Sequence, residues 1–568
     1  MQKTAQMTRI NRFSLVASLI FWLSVACYGQ NMAPEQDDRL QTILERINIA
    51  EQLDWKGFSG LKFYSTQDYI DFYNQLSEDQ QIRYASDLDY LREELHLWKH
   101  GNTPLIKHKR KRLKQLYPYP AAMLAYSGDD FSIEIKPILN LGLGQDSEDT
   151  DIYLLNQRGV AVSGGIDDKV YFHTTILESQ ARFTSNIRAI YQETGFLPGA
   201  GFVKTYRSNV YDFTDGVDFL LSRGHVGFNF TKHIGFQFGH GRNFIGNGYR
   251  SLLMSDRTTD YLYAKLNWRV GRFQLQNIFA EMVEDNVRPG PFLVLPKKYI
   301  AAHYLGFKPF KNMTLGLFEA VVFARDTGFE FNYLNPVIFY RTVEGMIGSP
   351  DNVIIGGDGV WNLPFRTQIY GQVVIDEFIF NQLFKNNTQN WTNKWGVQLG
   401  VKHIDFFGIK GMDVQYEFNT VRPYTYSHAE LKNVYGHYGQ PLAHPYGANF
   451  AEHLAQFRYQ ISRRVLFQGR YINYFKGADV GAESYGGDIF KSYRLRYADD
   501  GHSIGQGVRS DVQLLDMELS YELFHNLYVG IQYLWRKEDI SVPNSAGNNI
   551  NFVAGTIRYN INRFKNDF

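Results

Sequence analysis

Residues 236–256 read FQFGHGRNFIGNGYRSLLMSD, a stretch with the glycines and polar side chains of a phosphate-binding loop. Gly241 and Gly246 have the four-residue gap of a P-loop, but Asn247 and Gly248 stand where Lys and then Ser or Thr must reach phosphate and metal. Gly239 and Gly241 also lack a third glycine at dinucleotide-fingerprint spacing, so both nucleotide readings fail. What remains is hydrogen-bonding chemistry. His240, Arg242, Asn247, Arg250 and Asp256 can bind sugar hydroxyls or acidic groups through planar donors and acceptors. The structural alternative is an internal polar network, because buried charges need partners.

Further candidates lie downstream. Asp376 and Glu377 are adjacent on an expected strand and so face opposite sides, which unfits them as a glycosidase pair. One of them is expected to meet a loop arginine such as Arg341 or Arg422. His428, His437 and His444 match no compact metal site, and no cysteine is near to complete one. Pro441 and Pro445 stiffen that loop, and Tyr438 and Tyr446 in it can stack on sugar rings or simply pack. Glu344 and Tyr424 complete the candidate polysaccharide-binding or lumen set. No catalytic residue, metal or cofactor is expected.

The chain that positions these residues has 568 residues, with Lys+Arg 59 against Asp+Glu 58, so it carries no net field to attract nucleic acid. Lys3, Arg9 and Arg12 precede the apolar run Phe13–Ala26 and then CYGQ, the pattern of a secretory signal over residues 1–29. Cys27, the only cysteine, lies inside it, so the mature chain is expected to have none. Ser24 stands where a lipoprotein signal usually has a large aliphatic. After the signal no apolar run reaches the roughly 18 residues of a spanning helix.

Two periods follow. Residues 30–125 read as a helical region of two to four short helices. Leu40, Ile43, Leu44 and Ile47 share a face, and Ser77 to Gln80 forms a capping box. The basic run IKHKRKRLK (106–114) suits lipid phosphates or a solvated helix face. Residues 126–568 alternate with period two. Leu515, Met517, Leu519, Tyr521 and Leu523 stand against Asp516, Glu518, Ser520 and Glu522, and Val414, Tyr416 and Phe418 against Asp413, Gln415, Glu417 and Asn419. Tight turns at 462–464 and 525–526 alternate with long loops at 476–510 and 536–549, as when short turns lie on one side of a membrane barrel and long loops on the other. At ~9–11 residues per strand the region supplies roughly 16–20 strands, too wide a ring for wall side chains alone to fill. Phe568 ends the chain on an aromatic, like many outer-membrane barrels.

GHGRNFIGNGYRSLLMSD (239–256), YLNPVIFYRTVEGMIGSPDN (333–352), VVIDEF (373–378), NTVRPYTYSH (419–428) and YGHYGQPLAHPYGANF (435–450), with FSGLKFYSTQDY before them, resemble in order and wording the Wzi-like capsule-assembly outer-membrane barrels, most closely their gliding-motility RemB-like members. The resemblance spans residues 58–568 and departs at RNFIGNGYR, where capsule proteins of enteric bacteria carry a Trp-rich stretch. It implies an all-β transmembrane antiparallel barrel of about eighteen strands. It further implies a small periplasmic α-helical region, a plugged or constricted lumen and no enzymatic activity.

The expected protein sits in the outer membrane of a Gram-negative bacterium. It anchors or organises capsule or exopolysaccharide, or supports gliding motility. Its expected partners are membrane lipid, surface polysaccharide and, through the helices, gliding or envelope proteins. A porin-like solute channel and a barrel hydrolase are the alternatives.

Overall fold

The computed structural model describes residues 38–95, 122–128, 130–167, 169–285, 294–325, 330–337, 339–348, 351–376, 389–542, 547–563, 565 and 567. The expected signal, the basic run at 106–114, Glu377 and Phe568 lie outside them.

Four helices come first: α1 (Asp38–Glu51), α2 (Thr66–Asn74), α3 (Glu78–Arg83) and α4 (Ala85–Glu94). Leu40, Ile43, Leu44 and Ile47 of α1 are buried together with Trp55, Phe72, Leu88 and Leu91 in a small core. The capping box at Ser77 and Gln80 starts α3, and a second, Ser65 with Asp68, starts α2.

The barrel strands are β1 (Phe131–Asp146), β2 (Ile152–Ile166), β3 (Val170–Arg182), β4 (Phe213–Asn229), β5 (Ile234–Gly241), β6 (Tyr261–Val270), β7 (Phe273–Val283), β8 (Lys297–Phe310) and β9 (Met313–Phe323). There follow β10 (Asn352–Leu363), β11 (Thr367–Asp376), β12 (Trp395–His403), β13 (Met412–Val421), β14 (Phe450–Gln460), β15 (Val465–Ala478), β16 (Val508–Phe524), β17 (Leu527–Ile540) and β18 (Asn548–Tyr559). Each pairs antiparallel with its chain neighbours, and β1 closes the ring on β18 from Leu139↔Tyr559 to Asp146↔Phe552. The 20-stranded sheet thus comprises an 18-strand closed barrel and two short added strands, Leu124–Ser127 and Lys204–Ser208. Helix α5 (Ser185–Thr194) lies in the link between β3 and β4, and α6 (Tyr340–Ile347) in the link between β9 and β10.

The alternation sets the two faces of the wall. Leu519, Tyr521, Leu399, Leu317 and Val553 point outward and are exposed, whereas Asp516, Glu518, Gln398, Glu417 and Asn419 point inward and are buried. An apolar exterior with polar groups inside suits a hydrocarbon solvent, and closure leaves no unpaired edge in it. Links at 271–272, 311–312, 461–464 and 525–526 are short and lie at the end carrying the helices; 183–212, 242–260, 422–449 and 479–507 are long and lie at the other. One expected loop is corrected: Arg536–Ile540 continues β17, so the link there is only 541–547. Charges on that stretch cost little because it lies at the long-loop end.

The helices clamp the short-turn mouth. Arg46 of α1 donates to Asp413 at 3.0 Å and also pairs with Asp405. Arg269 donates to Asp68 at 2.6 Å. His525, in the turn between β16 and β17, bonds Glu93 and Glu94 of α4 at 2.6 Å each, and its ring stacks on Tyr90.

Candidate functional site in the lumen and at the long-loop rim

The segment after β5 leaves the wall and crosses the lumen, and wall side chains satisfy its main chain. Gln372 accepts the Leu252 amide at 2.8 Å and donates to the Ile245 carbonyl at 3.1 Å. Glu417 accepts the amides of Tyr249 (2.8 Å) and Arg250 (3.1 Å), Gln398 donates to the Arg250 carbonyl at 3.0 Å, and Lys402 to that of Asn247 at 2.7 Å. A buried loop persists only when its backbone groups are paired in this way. Between these bonds Ile245, Leu252, Leu253 and Met254 are buried in a core with inward-facing Ile278, Ile300, Phe318 and Ile354.

Two glycines permit the close approach. A Cβ on Gly248 would stand 2.4 Å from a Glu417 carboxylate oxygen, and one on Gly246, where φ is +151°, 2.5 Å from the Gln372 amide. Gly248→Val is therefore expected to cost about 1–3 kcal/mol by overpacking. Thermal unfolding of the purified barrel measures this, and an unchanged midpoint would refute the tight approach.

Other segments complete the filling. The loop between β13 and β14 comes from the long-loop end: Tyr426 and Tyr435 donate their hydroxyls to the carbonyls of Leu252 and Leu253, each at 2.7 Å. Gly60, from the stretch between α1 and α2, accepts the Gly246 amide at 2.7 Å. The tail after β18 turns back inside, where Asp567 pairs with Arg257 at 2.6 Å and Arg250 at 3.3 Å and accepts the Tyr249 hydroxyl at 2.6 Å.

The candidates from 236–256 divide. Arg250, fully buried, donates to Glu452 at 3.1 Å. Asn247 donates to Asp358 at 2.8 Å, Arg242 pairs with Asp260 at 2.8 Å, and Asp256 meets Lys565 at 3.2 Å. His444 bonds Glu452 at 2.8 Å, and His437 accepts the Val283 amide at 3.1 Å and bonds the Asp260 carbonyl at 3.2 Å. Burial lowers His437 to about 3 and His444 to about 4, so both are neutral at pH 7. Tyr424 is buried and donates to the Ser484 carbonyl at 2.8 Å; His428 is buried beside Glu430.

Two expectations are corrected. His240 lies on the same outward parity as exposed Phe238, so its ring bonds the Ser222 carbonyl outside the lumen. Arg341 and Glu344 pair with each other on α6, which lies against the outer wall. Of the expected carboxylate–arginine contact, Asp376 accepts the Tyr426 amide at 2.6 Å and Arg422 donates to the Asn393 and His502 carbonyls, while Glu377 lies outside the described residues. A further motif, Gly501-His502-Ser503-Ile504-Gly505, has serine-hydrolase elbow spacing, but that chemistry needs a strand-turn-helix. Here it lies in the loop that leads into β16, with the His502 ring bonded to the Ala498 carbonyl and Gln506.

The candidate residues inside the barrel find polar partners within the protein. A half-buried aromatic and cationic cluster lies instead among the long loops. Trp391 and Tyr493 meet at 4.8 Å, the Arg496 guanidinium sits 4.4 Å over Trp391, and the Lys394 ammonium lies 4.1 Å over Tyr493. Arg494 and Leu495 beside them are exposed. The cations lie over the ring faces, Lys394 is buried, and Arg496 and Arg494 pair with Asp499 and Glu430, so the cluster offers ring edges and ion-paired polar groups that can hydrogen-bond sugar hydroxyls. No periodicity marks these residues in the sequence, since Trp391 and Tyr493 come from different loops.

Wall, ring and filling together define a plugged antiparallel β-barrel. No family model and no curated protein matches the chain. Among solved structures it is similar to Wzi of Escherichia coli, described as an outer-membrane protein involved in group 1 capsule assembly and a carbohydrate-binding β-barrel. Identity is 12%, coverage 93% of this chain and 99% of that one, and the TM-score 0.57, a likeness of fold. OprD of Pseudomonas aeruginosa (10% identity, 75% and 94% coverage, TM-score 0.40) and OccAB2 of Acinetobacter baumannii (10%, 76% and 98%, 0.41) are less similar.

Proposed function

We propose that this chain is a non-enzymatic outer-membrane protein of a Gram-negative cell that holds surface polysaccharide at its long-loop rim and passes no solute through its barrel. The observation that carries this reading is the combination of a lumen filled by the chain's own segments with the Trp391–Tyr493–Arg496 cluster at the open end. The apolar wall supports the membrane location. The fold shared with Wzi, itself described as carbohydrate-binding, supports the ligand class. Capsule attachment and a surface grip used in gliding both follow from the same rim, and the wording of the five segments supports the RemB-like variant.

The test is binding of purified protein to polysaccharide stripped from its own cells. The double variant Trp391→Ala, Arg496→Ala is expected to bind about tenfold more weakly, the loss of roughly one hydrogen bond to a charged group. Equal binding by wild type and variant would sink the rim assignment. In a deletion strain, loss of surface polysaccharide or of spreading separates capsule from gliding; if both persist, the function fails.

A further inference from the structure

Three consecutive strands carry one polar residue each at the same level of the outer wall. His303 of β8 is paired with Asn277 of β7 on one side and Glu319 of β9 on the other. Outward positions two residues further along, roughly 7 Å along each strand, are Leu275, Leu305 and Leu317. A polar row in an apolar wall is costly in hydrocarbon unless something covers and pairs it.

Residues 331–337 and 339–347 do both. Glu319 accepts the amides of Tyr340 (2.9 Å) and Arg341 (3.0 Å) at the start of α6, where an anion also suits the helix dipole. Asn277 donates to the Pro336 carbonyl at 3.0 Å, and the His303 and Tyr340 rings lie 4.0 Å apart. Above the row, outward-facing Ala301, Val321 and Val353 are buried under Tyr333, Tyr340 and Val343. The segment is therefore fixed flat against the outside of the barrel. Its far side presents Phe331 and Val337, each 76% exposed, Phe339 at 71% and Met346 at 78%. Arg341 and Glu344 pair on that side, and the long arginine stem can carry its charge toward headgroups.

These exposed apolar side chains, on a segment held against a wall that itself exposes Leu305 and Leu317, match hydrocarbon better than water. We infer that residues 331–337 and 339–347 form a membrane-embedded external flap, whose Phe331, Val337, Phe339 and Met346 insert among the acyl chains of the leaflet at the long-loop end. Asn277, His303 and Glu319 anchor it to the wall. The inference rests on the outer-membrane reading above and adds a second lipid contact to it: the barrel grips one leaflet with a flap as well as with its strands.

The test uses single cysteines in the full chain in a Cys27→Ser background, labelled with an environment-sensitive fluorophore and reconstituted into phosphatidylcholine vesicles. Met346→Cys reports the flap, Leu317→Cys the wall and Val210→Cys, at a position 85% exposed in a long loop, the water. The expected result is quenching of the Met346 probe by spin-labelled acyl chains as strong as at Leu317, with iodide quenching only the Val210 probe. Iodide quenching at Met346 with lipid quenching retained at Leu317 would overturn the flap while leaving the membrane barrel intact. So would shielding of Met346 from both quenchers, which would mean a protein partner or second copy covers it. Absence of lipid quenching at Leu317 would overturn the membrane reading as well. Adding Glu319→Ala is expected to move the Met346 probe from lipid to iodide access; retained lipid quenching would overturn the anchoring role of Glu319.

Discussion

Arg250→Ala is expected to destabilise the barrel by about 3–5 kcal/mol, the cost of breaking a buried ion pair by removing one partner. Arg250 donates to Glu452 at 3.1 Å and pairs with Asp567 at 3.3 Å, and all three side chains are almost wholly buried. Asp567 would keep Arg257 and Arg470. Glu452 would keep only its hydrogen bonds to His444 and Asn419, leaving its charge without a cationic partner as close as Arg250. The damage should centre on the plug, because Arg250 sits between the amide bonds that Glu417 and Gln372 make to the crossing segment. Thermal unfolding in detergent measures the loss. Arg250→Met with Glu452→Gln should recover much of it, since that double change removes both charges at nearly constant volume. If Arg250→Ala unfolds with the wild-type midpoint, the network does not hold the plug.

The helical region is expected to be held by a pH-dependent contact. Burial alone would lower the His525 pKa, but the hydrogen bonds and charges of Glu93 and Glu94 outweigh it and hold it up at about 9. A folded value above the unfolded 6.5 means stability fully present below about pH 6.5 and lost as pH rises through 9, on the order of 3 kcal/mol. Both glutamates are held below their ordinary value, although burial is the largest single influence and opposes it: the hydrogen bond and charge of His525 together with the charge of Arg463 outweigh burial for Glu93, and Lys136 with His525 does so for Glu94. Their side of the same contact is present above about pH 4.5 and fades as pH falls through their depressed values. Docking should therefore be tightest between these limits. Hydrogen exchange across Ala85–Glu94, corrected for its intrinsic pH dependence, should accelerate between pH 6 and 9.5 in the wild type. His525→Gln, which cannot carry the charge, should exchange fast at both. Equal protection of the two proteins at pH 6 would disprove the clamp.

Much of this architecture is legible in the chain because a barrel wall is a two-sided boundary. Glu417 and Asn419 alternate with Tyr416 and Phe418 for the same reason that the first pair is buried in the lumen and the second faces outward. The turns at 461–464 and 525–526 were likewise predictable from short polar breaks between alternating runs. The faces of the loops were not. His240 shares parity with Phe236 and Phe238, so strand alternation extended a few residues would have put it outside. Arg341 and Glu344 could not be sorted in that way, since α6 is amphipathic whichever side of the wall it covers. The acids that complete the lumen network, Glu452 and Asp567, are 202 and 317 residues from Arg250, and only closure of the ring brings them together. GHSIG shows the converse: here the elbow spacing occurs in a loop feeding a barrel strand, without the strand-turn-helix that gives the elbow its geometry.

The proposed function requires a closed scaffold rather than a conduit. Single-channel recording of the purified wild-type protein in planar bilayers tests it most directly. A filled lumen predicts membranes that stay at baseline conductance after insertion is verified, with openings appearing only when residues 242–260 are removed. A large, stable conductance from the wild type would contradict it.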